Sequence, residues 1–256
     1  MMPEQYDPLI LDPMLREYFG PAGYFNAGYW EDASASQETA CDALSERLMA
    51  WLPAGPANVL DAGCGLGGVT RRLANRLPAA RVIGLNISHR QLSACRETCP
   101  TARFIQMDAA RTGLASGSLD AVLSVEAAFH FQTRRDFLLE AARVLKPGGT
   151  LVLSDVLFHQ APWPGDWTVP AENHLDDAEA YRALLEDAGF HRIRIEDATA
   201  PCWDGFCSNL VLWLQRRASS MEPAAIRPWL HMAHGLAHAV NCYLLIAAER
   251  RPDRLG

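Results

Sequence analysis

The amino-acid sequence predicts an α/β protein built on a mostly parallel sheet with helices on both faces. Short apolar segments alternate with amphipathic segments of about 10 to 15 residues between positions 58 and 158, which is typical of βαβ units. The composition then changes, because five of the seven tryptophans lie between positions 157 and 240. We interpret the second half as the last two strands of the same sheet, which carry a mostly helical lid.

Each strand is expected where apolar residues run between turn signals. Seven such segments occur, at 58–63, 80–87, 102–108, 118–127, 150–158, 191–197 and 241–250. Amphipathic helices are expected at 35–52, 68–77, 88–99, 134–145 and 176–190, and a mostly helical insertion at 201–240. Pro53 ends the first helix, Ser88 caps the third, and a turn from Lys146 to Gly149 ends the fourth.

The composition argues against several classes of protein. The 256 residues carry a formal charge of −7 without blocks of like charge, so a nucleic-acid partner is not expected. No apolar run approaches about 18 residues, so a membrane partner is not expected. The N-terminus has no signal-peptide pattern, so we expect a cytoplasmic location and no secretion. The seven cysteines are irregularly spaced, and His231, His234 and His238 share a helix face without a nearby carboxylate, so no metal site is expected.

The stretch VLDAGCGLGG (59–68) is the most informative part of the sequence. Gly63-x-Gly65-x-x-Gly68 matches a dinucleotide-binding pattern, which by itself is also compatible with a tight strand-to-helix turn. Asp61 and Gly67 add information, because a carboxylate beside the loop would repel a pyrophosphate. A cationic ligand without phosphate reverses that sign. The loop therefore favours S-adenosylmethionine, which has a sulfonium and an ammonium group.

The same stretch resembles the first motif of class I S-adenosylmethionine-dependent methyltransferases. Further segments resemble later motifs of the family in order: VIGLNIS (82–88), FIQMDAA (104–110), LDAVLSVEAAFHF (119–131) and RVLKPGGTLVLSD (143–155). GYFNAGYW (23–30) and Ser88-x-x-Gln91 resemble the bacterial small-molecule subgroup, which includes natural-product and sugar O-methyltransferases. The resemblance covers about residues 59 to 155. It implies a Rossmann-like, seven-stranded sheet whose last strand is antiparallel.

The resemblance also implies which residues meet the cofactor. They are Tyr24, Trp30, Asp61, Gly63, Gly65, Asn86, Ile87, Gln91, Asp108, Ala109 and Val125. Asn86 departs from the family pattern, because an acid that holds both ribose hydroxyls is common there. Asp61 and Asp108 are also compatible with simple turn residues, and the aromatic side chains with ordinary packing.

Three residues after the fourth and fifth strands are candidates for catalysis. Glu126 and His130 follow one strand and Asp155 ends the next, so all three are expected beyond the carboxyl ends of neighbouring strands. His130 as a general base oriented by Asp155 is similar to pairs in sugar and natural-product O-methyltransferases. A packed histidine is the alternative. Lid aromatics, among them Trp163, Trp167, Trp203, Trp213 and Trp229, are expected mainly in the core, with a subset around the acceptor.

These observations predict a single methyltransferase domain over residues 1–256 that methylates a small, rather apolar metabolite, most simply at a hydroxyl. We divide it into an N-terminal helical and aromatic cap (1–55), a cofactor-binding core (56–156), a substrate lid with strand six (157–240), and the final strand and tail (241–256). Two alternatives stay open. One is C- or N-methylation, including methylation of a prenyl-type alkene, in which Glu126 would matter more; the other is a cofactor-binding protein without methyl transfer. Self-association into a homo-oligomer is not decided by the sequence.

Overall fold

Seven strands form one sheet in the order β3-β2-β1-β4-β5-β7-β6. The computed structural model describes residues 7–77, 81–100, 102–159 and 169–252. The strands are β1 (Val59–Ala62), β2 (Val82–Asn86), β3 (Arg103–Gln106), β4 (Leu119–Val125), β5 (Leu145–Phe158), β6 (Phe190–Asp197) and β7 (Val240–Arg250). β7 pairs antiparallel with both β5 and β6, whereas the other pairs are parallel. The predicted mostly parallel sheet with an antiparallel last strand is confirmed.

Helices cover both faces of the sheet, as predicted. They are α1 (Pro13–Phe19), α2 (Gln37–Met49), α3 (Gly68–Arg76), α4 (His89–Thr98), α5 (Arg134–Val144), α6 (Ala178–Asp187), α7 (Gly205–Ala218) and α8 (Pro223–Leu236). A π-helical segment, Thr199–Asp204, leads into α7. One core cluster joins the sheet to α1, α2, α3 and the lid helices α7 and α8, and a second joins the opposite face to α5 and α6.

Local signals set several of the helix boundaries. The Ser88 side chain accepts a hydrogen bond from Gln91 N and so caps α4, as the sequence predicts. Thr133 and Asp136 form a capping box at the start of α5. The predicted turn after α5 is different, because β5 already begins at Leu145. Leu145 pairs with Leu119 and Thr150 with Ala121, so the glycine-rich residues between them form an irregularity within the strand.

The parallel strands direct their carboxyl ends toward the same edge of the sheet. Three segments therefore converge there: the glycine loop after β1, the turn after β2 and the segment after β4. They lie beside the N-terminal segment, residues 7–30. No helix in the described ranges is long and apolar enough to cross a membrane. Residues 1–6 of the predicted cap, Trp163 and Trp167 of the predicted lid, and residues 253–256 of the tail lie outside the described residues.

Candidate active site

The glycine loop after β1 forms the floor of a cleft whose empty space, open solvent included, is about 1070 Å³. Gly63, Gly65 and Gly67 all have positive φ, which residues with a side chain rarely adopt. A Cβ at Gly63 would lie 2.5 Å from the Ala127 Cβ, whereas a Cβ at Gly65 would meet nothing within 4 Å. The first glycine thus permits close packing, and Gly65 leaves open space inside the cleft.

The charges around this cleft suit a cation. Asp61 is buried behind the loop and accepts a hydrogen bond from the Thr70 hydroxyl at 2.5 Å. Burial raises the pKa of the Asp61 carboxyl to about 6, so a nearby positive charge would favour its ionised form. Among the described residues that line the cleft there is no lysine or arginine. The open cradle at Gly65 and this charge balance fit a phosphate-free cation such as S-adenosylmethionine.

The end of β2 presents a polar network to the cleft. Asn86 Nδ2 donates to Gln91 Oε1 at 2.8 Å and to Gly65 O at 3.3 Å, and Asn86 Oδ1 accepts from Ser88 N at 3.0 Å. Gln91 Nε2 in turn donates to Asp7 Oδ1 at 2.8 Å. The network connects the glycine loop, the cap of α4 and the N-terminal segment.

The structure brings most of the predicted cofactor residues into this cleft. Its lining includes Tyr24, Asp61, Gly63, Gly65, Asn86, Ile87, Gln91, Asp108, Ala109 and Val125. Trp30 is placed elsewhere: its indole donates to Ala27 O at 2.9 Å, and a Cβ at Gly205 would lie 2.6 Å from its ring. Cofactor contacts of the individual side chains stay predictions, and the position of Trp30 indicates packing of the N-terminal segment on α7.

Glu126 follows β4 directly and sits between two cavities. Its φ is 49°, in the left-handed region, and its Oε1 accepts from Ala27 N at 2.7 Å and from the Tyr243 hydroxyl at 2.6 Å. Burial raises the pKa of Glu126 to about 7, although the two hydrogen bonds lower it. Both donors bind the same oxygen, and Glu126 lines both cavities. This carboxyl therefore has a high proton affinity where a ligand would lie.

His130 occupies the same junction with the opposite electrostatics. It ends a 3-10 turn, Ala128–His130, and is buried. Burial and the positive charge of Arg134 lower the pKa of its imidazole well below the ordinary value, so the ring is neutral at pH 7. A neutral imidazole can donate or accept a hydrogen bond, but its tendency to take up a proton is reduced.

Asp155 is held by groups other than the imidazole of His130. Its Oδ2 accepts from Arg134 Nε and from the Tyr181 hydroxyl, both at 2.8 Å, and its Oδ1 accepts from the backbone N–H of Phe129 at 3.2 Å and of Val156 at 3.0 Å. Through Phe129 it fixes the backbone next to His130. The predicted role of Asp155 as a partner of His130 is thus better described as positioning the turn; its catalytic effect stays a prediction.

A second cavity adjoins the first, and its empty space, open solvent included, is about 1040 Å³. Phe25, Asn26, Glu126 and His130 line both. The remaining lining is Leu9, Leu15, Tyr18, Phe19, Ala27, Phe129, Phe158, Trp203, Phe206, Leu210, Met232 and Leu236. Its walls come from the N-terminal segment and the lid. Of the lid tryptophans in the described ranges, Trp203 lines this cavity, whereas Trp213 and Trp229 pack against the core.

Several of these functional candidates were not identified from the sequence. Asp7, Arg134 and Tyr243 are separated from the motifs or have no recognisable spacing, and only the folded chain brings them to the site. Asn26 lies inside the aromatic motif at 23–30, so that motif was a usable signal for it. Within the described residues, no group of three His, Cys, Asp or Glu side chains could hold a metal ion.

Comparisons with known proteins agree with this geometry. Residues 60–153 match the family model described as "Methyltransferase domain". The chain is 32% identical over 190 residues to an O-methyltransferase, cnsE, of Penicillium expansum, covering 68% of each chain. It is 28% identical over 245 residues to the 27-O-demethylrifamycin SV methyltransferase of Amycolatopsis mediterranei, covering 88% of this chain and 89% of the relative.

The fold also has close counterparts among solved structures. The structure of the [4+2]-cyclase SpnF superposes with a TM-score of 0.78 at 24% identity and covers 98% of this chain and 96% of that chain. This likeness supports the architecture alone, whereas the family model and the curated relatives carry the assignment. The chain belongs to the class I S-adenosylmethionine-dependent methyltransferases, enzymes whose cofactor is S-adenosylmethionine.

Proposed function

We propose that the protein transfers the methyl group of S-adenosylmethionine to a hydroxyl of an uncharged, apolar small molecule. The observation that carries this proposal is the junction of two cavities at Glu126 and His130. One cavity fits the cofactor and the other is apolar. A hydroxyl held at the junction would meet the methyl group of a cofactor that lies in the first cavity.

The second cavity offers little to a charged acceptor. Its described lining has no lysine, arginine or aspartate, and Glu126 and His130 stand only at the junction. Two polar groups on its walls are already used within the protein: the Tyr18 hydroxyl donates to Asn209 Oδ1 at 3.1 Å and the Trp203 indole to Leu236 O at 2.9 Å. An apolar body is therefore favoured, because a charged group placed there would lose its hydration without a partner.

The reaction needs alignment more than activation. When bound, the cofactor supplies an already activated methyl group on a sulfonium. The residues of this chain then have to bind the acceptor, exclude water and orient its oxygen, which can account for a large part of the rate enhancement. The aromatic walls from α1 and α7 suit the first two tasks, and the junction suits the third.

Glu126 is the group we assign to take up the hydroxyl proton. Its environment raises its proton affinity, whereas the environment of His130 lowers that of the imidazole. Paired titratable groups whose pKa values are pushed apart commonly divide the acid–base work in this way. His130 then holds the acceptor oxygen as a neutral hydrogen-bonding group. This differs from the expectation from the sequence, in which His130 is the base and Asp155 orients it.

The relatives agree with transfer to oxygen. The similar protein of Amycolatopsis mediterranei is named for methylation of a 27-O-demethyl compound, and the similar protein of Penicillium expansum is named an O-methyltransferase. Both similarities extend beyond the cofactor motifs, since they cover 88% and 68% of this chain.

C-methylation of a prenyl-type alkene is the second candidate, and the position of Glu126 at the junction favours it. A carboxylate there could stabilise a carbocation or take a proton from carbon. A prenyl diphosphate, however, would need cations around its phosphates, and the described lining of the second cavity supplies none. The lid residue Arg217 pairs with Glu17 and stacks on Trp213.

Product analysis separates the two reactions. The purified enzyme is incubated with S-adenosylmethionine carrying a ¹³C methyl group and with a panel of hydroxylated, uncharged aromatic and macrocyclic compounds. We expect a labelled methoxy carbon in the product, which its ¹³C chemical shift distinguishes from a methyl group on carbon. A labelled C-methyl product would replace the O-methylation proposal, and tight cofactor binding without transfer to any compound would contradict both.

The choice of proton acceptor is tested on the same assay. Glu126→Gln keeps an oxygen for Ala27 N and Tyr243 and should lower kcat by about 10²–10⁴, whereas His130→Ala should cost less. The Tyr243→Phe variant removes a hydrogen bond that lowers the Glu126 pKa, so the rise of activity with pH should move to higher pH. If His130→Ala is the more damaging change and Tyr243→Phe leaves the pH profile unmoved, the histidine is the base.

A cytoplasmic location and self-association stay predictions. Both are separate from the assignment of the reaction, which rests on the junction of the two cavities. Size-exclusion chromatography with light scattering would measure the oligomeric state directly.

A further inference from the structure

The end of β2 lacks the carboxylate that commonly holds both ribose hydroxyls in this family, because the residue there is Asn86. A buried carboxylate nevertheless reaches the same turn from a distant part of the chain. Asp7 Oδ1 accepts hydrogen bonds from Ser88 Oγ and Gln91 Nε2, both at 2.8 Å. Asp7 is 7% exposed, and both of these donors are neutral. The N-terminal segment thus brings a negative charge to this turn.

This carboxylate sets the direction of the hydrogen bonds between itself and the cleft. An ionised carboxylate only accepts, so Gln91 must turn its NH₂ group toward Asp7 and its carbonyl oxygen away. That oxygen accepts from Asn86 Nδ2 at 2.8 Å, and the amide of Asn86 is thereby oriented as well. Asn86 Oδ1 accepts from Ser88 N and keeps a second lone pair for a donor in the cleft.

Asp7, Gln91 and Asn86 thus form a relay of hydrogen bonds, and every hydrogen bond in it is polarised in the same direction. A carboxylate that accepts from one end of an amide makes the carbonyl at its other end a better acceptor, and chains of such hydrogen bonds strengthen one another. The donors in this relay point toward Asp7 and the acceptors toward the cleft. The oxygen of Asn86, which lines the cleft, is therefore a stronger acceptor for a hydroxyl than an isolated amide would be.

We propose that Asp7 is a positioning residue for the cofactor, which acts through Gln91 and Asn86 to hold a ribose hydroxyl. The relay replaces the missing acid with a carboxylate from the N-terminal segment. This inference rests on the placement of the ribose at the end of β2, which is part of the proposed function. The same segment supplies Ile10 to the cofactor cleft and Leu9 to the second cavity, so it contacts both ligands' sites.

The experiment compares S-adenosylhomocysteine with two analogues that each lack one ribose hydroxyl. S-Adenosylhomocysteine and its 2′-deoxy and 3′-deoxy analogues are titrated into the unmodified enzyme by calorimetry. Loss of one buried hydrogen bond should weaken binding of at least one deoxy analogue by about tenfold. The measured quantity is the affinity for S-adenosylhomocysteine divided by the affinity for the deoxy analogue that binds more weakly. In Asp7→Ala the affinity for S-adenosylhomocysteine should fall while the affinity for that analogue scarcely changes. The affinity ratio should therefore fall to about twofold or less. A merely structural role of Asp7 would weaken both ligands equally.

A compensating change makes the test sharper. In the double variant Asp7→Ala/Gln91→Glu, a carboxylate at position 91 accepts directly from Asn86 Nδ2, so the ratio should return toward the unmodified value. Asp12→Ala is the matched control. It removes a carboxylate of the same segment, which caps α1 through Met14 N and Leu15 N, without touching the relay, and it should leave the ratio unchanged.

Four results would contradict the inference, and each has a different meaning. If the affinity ratio is unchanged in Asp7→Ala, Asp7 has only a structural role. If Gln91→Glu does not restore the ratio in the double variant, the effect of Asp7 does not pass through Gln91. If the unmodified enzyme itself does not distinguish the deoxy analogues, the ribose does not lie at Asn86 and the proposed placement fails with the inference. S-Adenosylhomocysteine that does not bind at all would instead contradict the cofactor cleft.

Discussion

Glu126 combines a strained backbone with a charge that is costly to bury. Its φ of 49° is unusual for a residue with a side chain, and its carboxyl is fixed by Ala27 N and the Tyr243 hydroxyl. Strain of this kind persists only where the surroundings over-determine the geometry, and it is concentrated at functional sites. The contact with Ala27 also connects the N-terminal segment to the junction of the cavities.

Gly65 gives the clearest prediction at this scale. Its φ is +54° and a Cβ there would project into open space in the cleft. We therefore expect Gly65→Val to abolish S-adenosylmethionine binding, because the branched side chain would fill the volume of the ligand. Calorimetry should show the loss while circular dichroism shows a folded protein.

Gly117 provides the matched control for Gly65. Its φ is +61° and a Cβ there also meets nothing within 4 Å, but it lies in the turn before β4, away from the cleft. Gly117→Val imposes the same backbone strain and should leave cofactor affinity unchanged. Normal affinity in Gly65→Val would show that the cofactor does not approach the loop at this point.

Among the elements, the turn Ala128–His130 depends on a buried ion pair between α5 and β5. Arg134, the first residue of α5, is 1% exposed and bonds Asp155 through Nε, Val156 O through one terminal nitrogen and Asn173 O through the other. Asp155 then binds the backbone of the turn at Phe129. The position of the imidazole is thus set by contacts that α5 and β5 make with the turn.

Breaking this pair should destabilise the protein strongly. We expect Arg134→Met to lower the free energy of unfolding in urea by about 3–5 kcal/mol, because it leaves the Asp155 charge buried without its cation. Arg134→Met/Asp155→Leu should cost less than the sum of the two single changes, because it removes both charges. The exposed pair of Arg76 with Glu46 is the control, and Arg76→Met should cost less than about 1 kcal/mol. Additive losses would mean that the two buried groups do not act together.

At the scale of the whole molecule, the buried carboxyls of Asp61 and Glu126 should make the free energy of unfolding depend on pH. Burial raises the pKa of Asp61 from 3.8 to about 6 and that of Glu126 from 4.5 to about 7. Between about pH 4 and pH 7 the folded protein therefore binds more protons at these groups than the unfolded chain does. Their contribution to the free energy of unfolding should consequently fall as the pH rises through this window.

His130 has the opposite effect on stability, because its pKa is lowered in the folded protein and its contribution to the free energy of unfolding rises with pH below the ordinary pKa of histidine. A variant that lacks the two carboxyls separates their contribution from that of His130. The double variant Asp61→Asn/Glu126→Gln should gain stability relative to the unmodified protein as the pH rises from 4 to 7, when both are unfolded in urea without ligand. S-Adenosylmethionine should reduce that difference, since a cation favours the ionised carboxyls and ligand binding stabilises the folded state. A difference that is constant with pH would contradict the raised pKa values.

The sequence by itself determined the order of the elements and the identity of the family, because both are written locally. Alternating apolar and amphipathic segments specify βαβ units, and the glycine loop with Asp61 specifies a bare backbone beside a carboxylate. The family resemblance of these and later motifs also selected eleven cofactor residues, of which ten line one cleft, Trp30 being the exception. The short helix α1 was not identified, because seven residues are too few to show a clear helical period, although Asp12 caps its start and Pro13 and Gly20 mark its two ends.

Only the tertiary structure decided which side chains of the site are hydrogen-bonded to one another. Asp7 and Gln91 are 84 positions apart in the chain, and Glu126 and Tyr243 are 117 apart, so no spacing rule connects them. The proton affinities of Glu126 and His130 are likewise set by burial and by Arg134, and neither is visible in the residue type. Local pattern fixes which residues reach the edge of the sheet, whereas long-range contacts and desolvation fix what their side chains can do there.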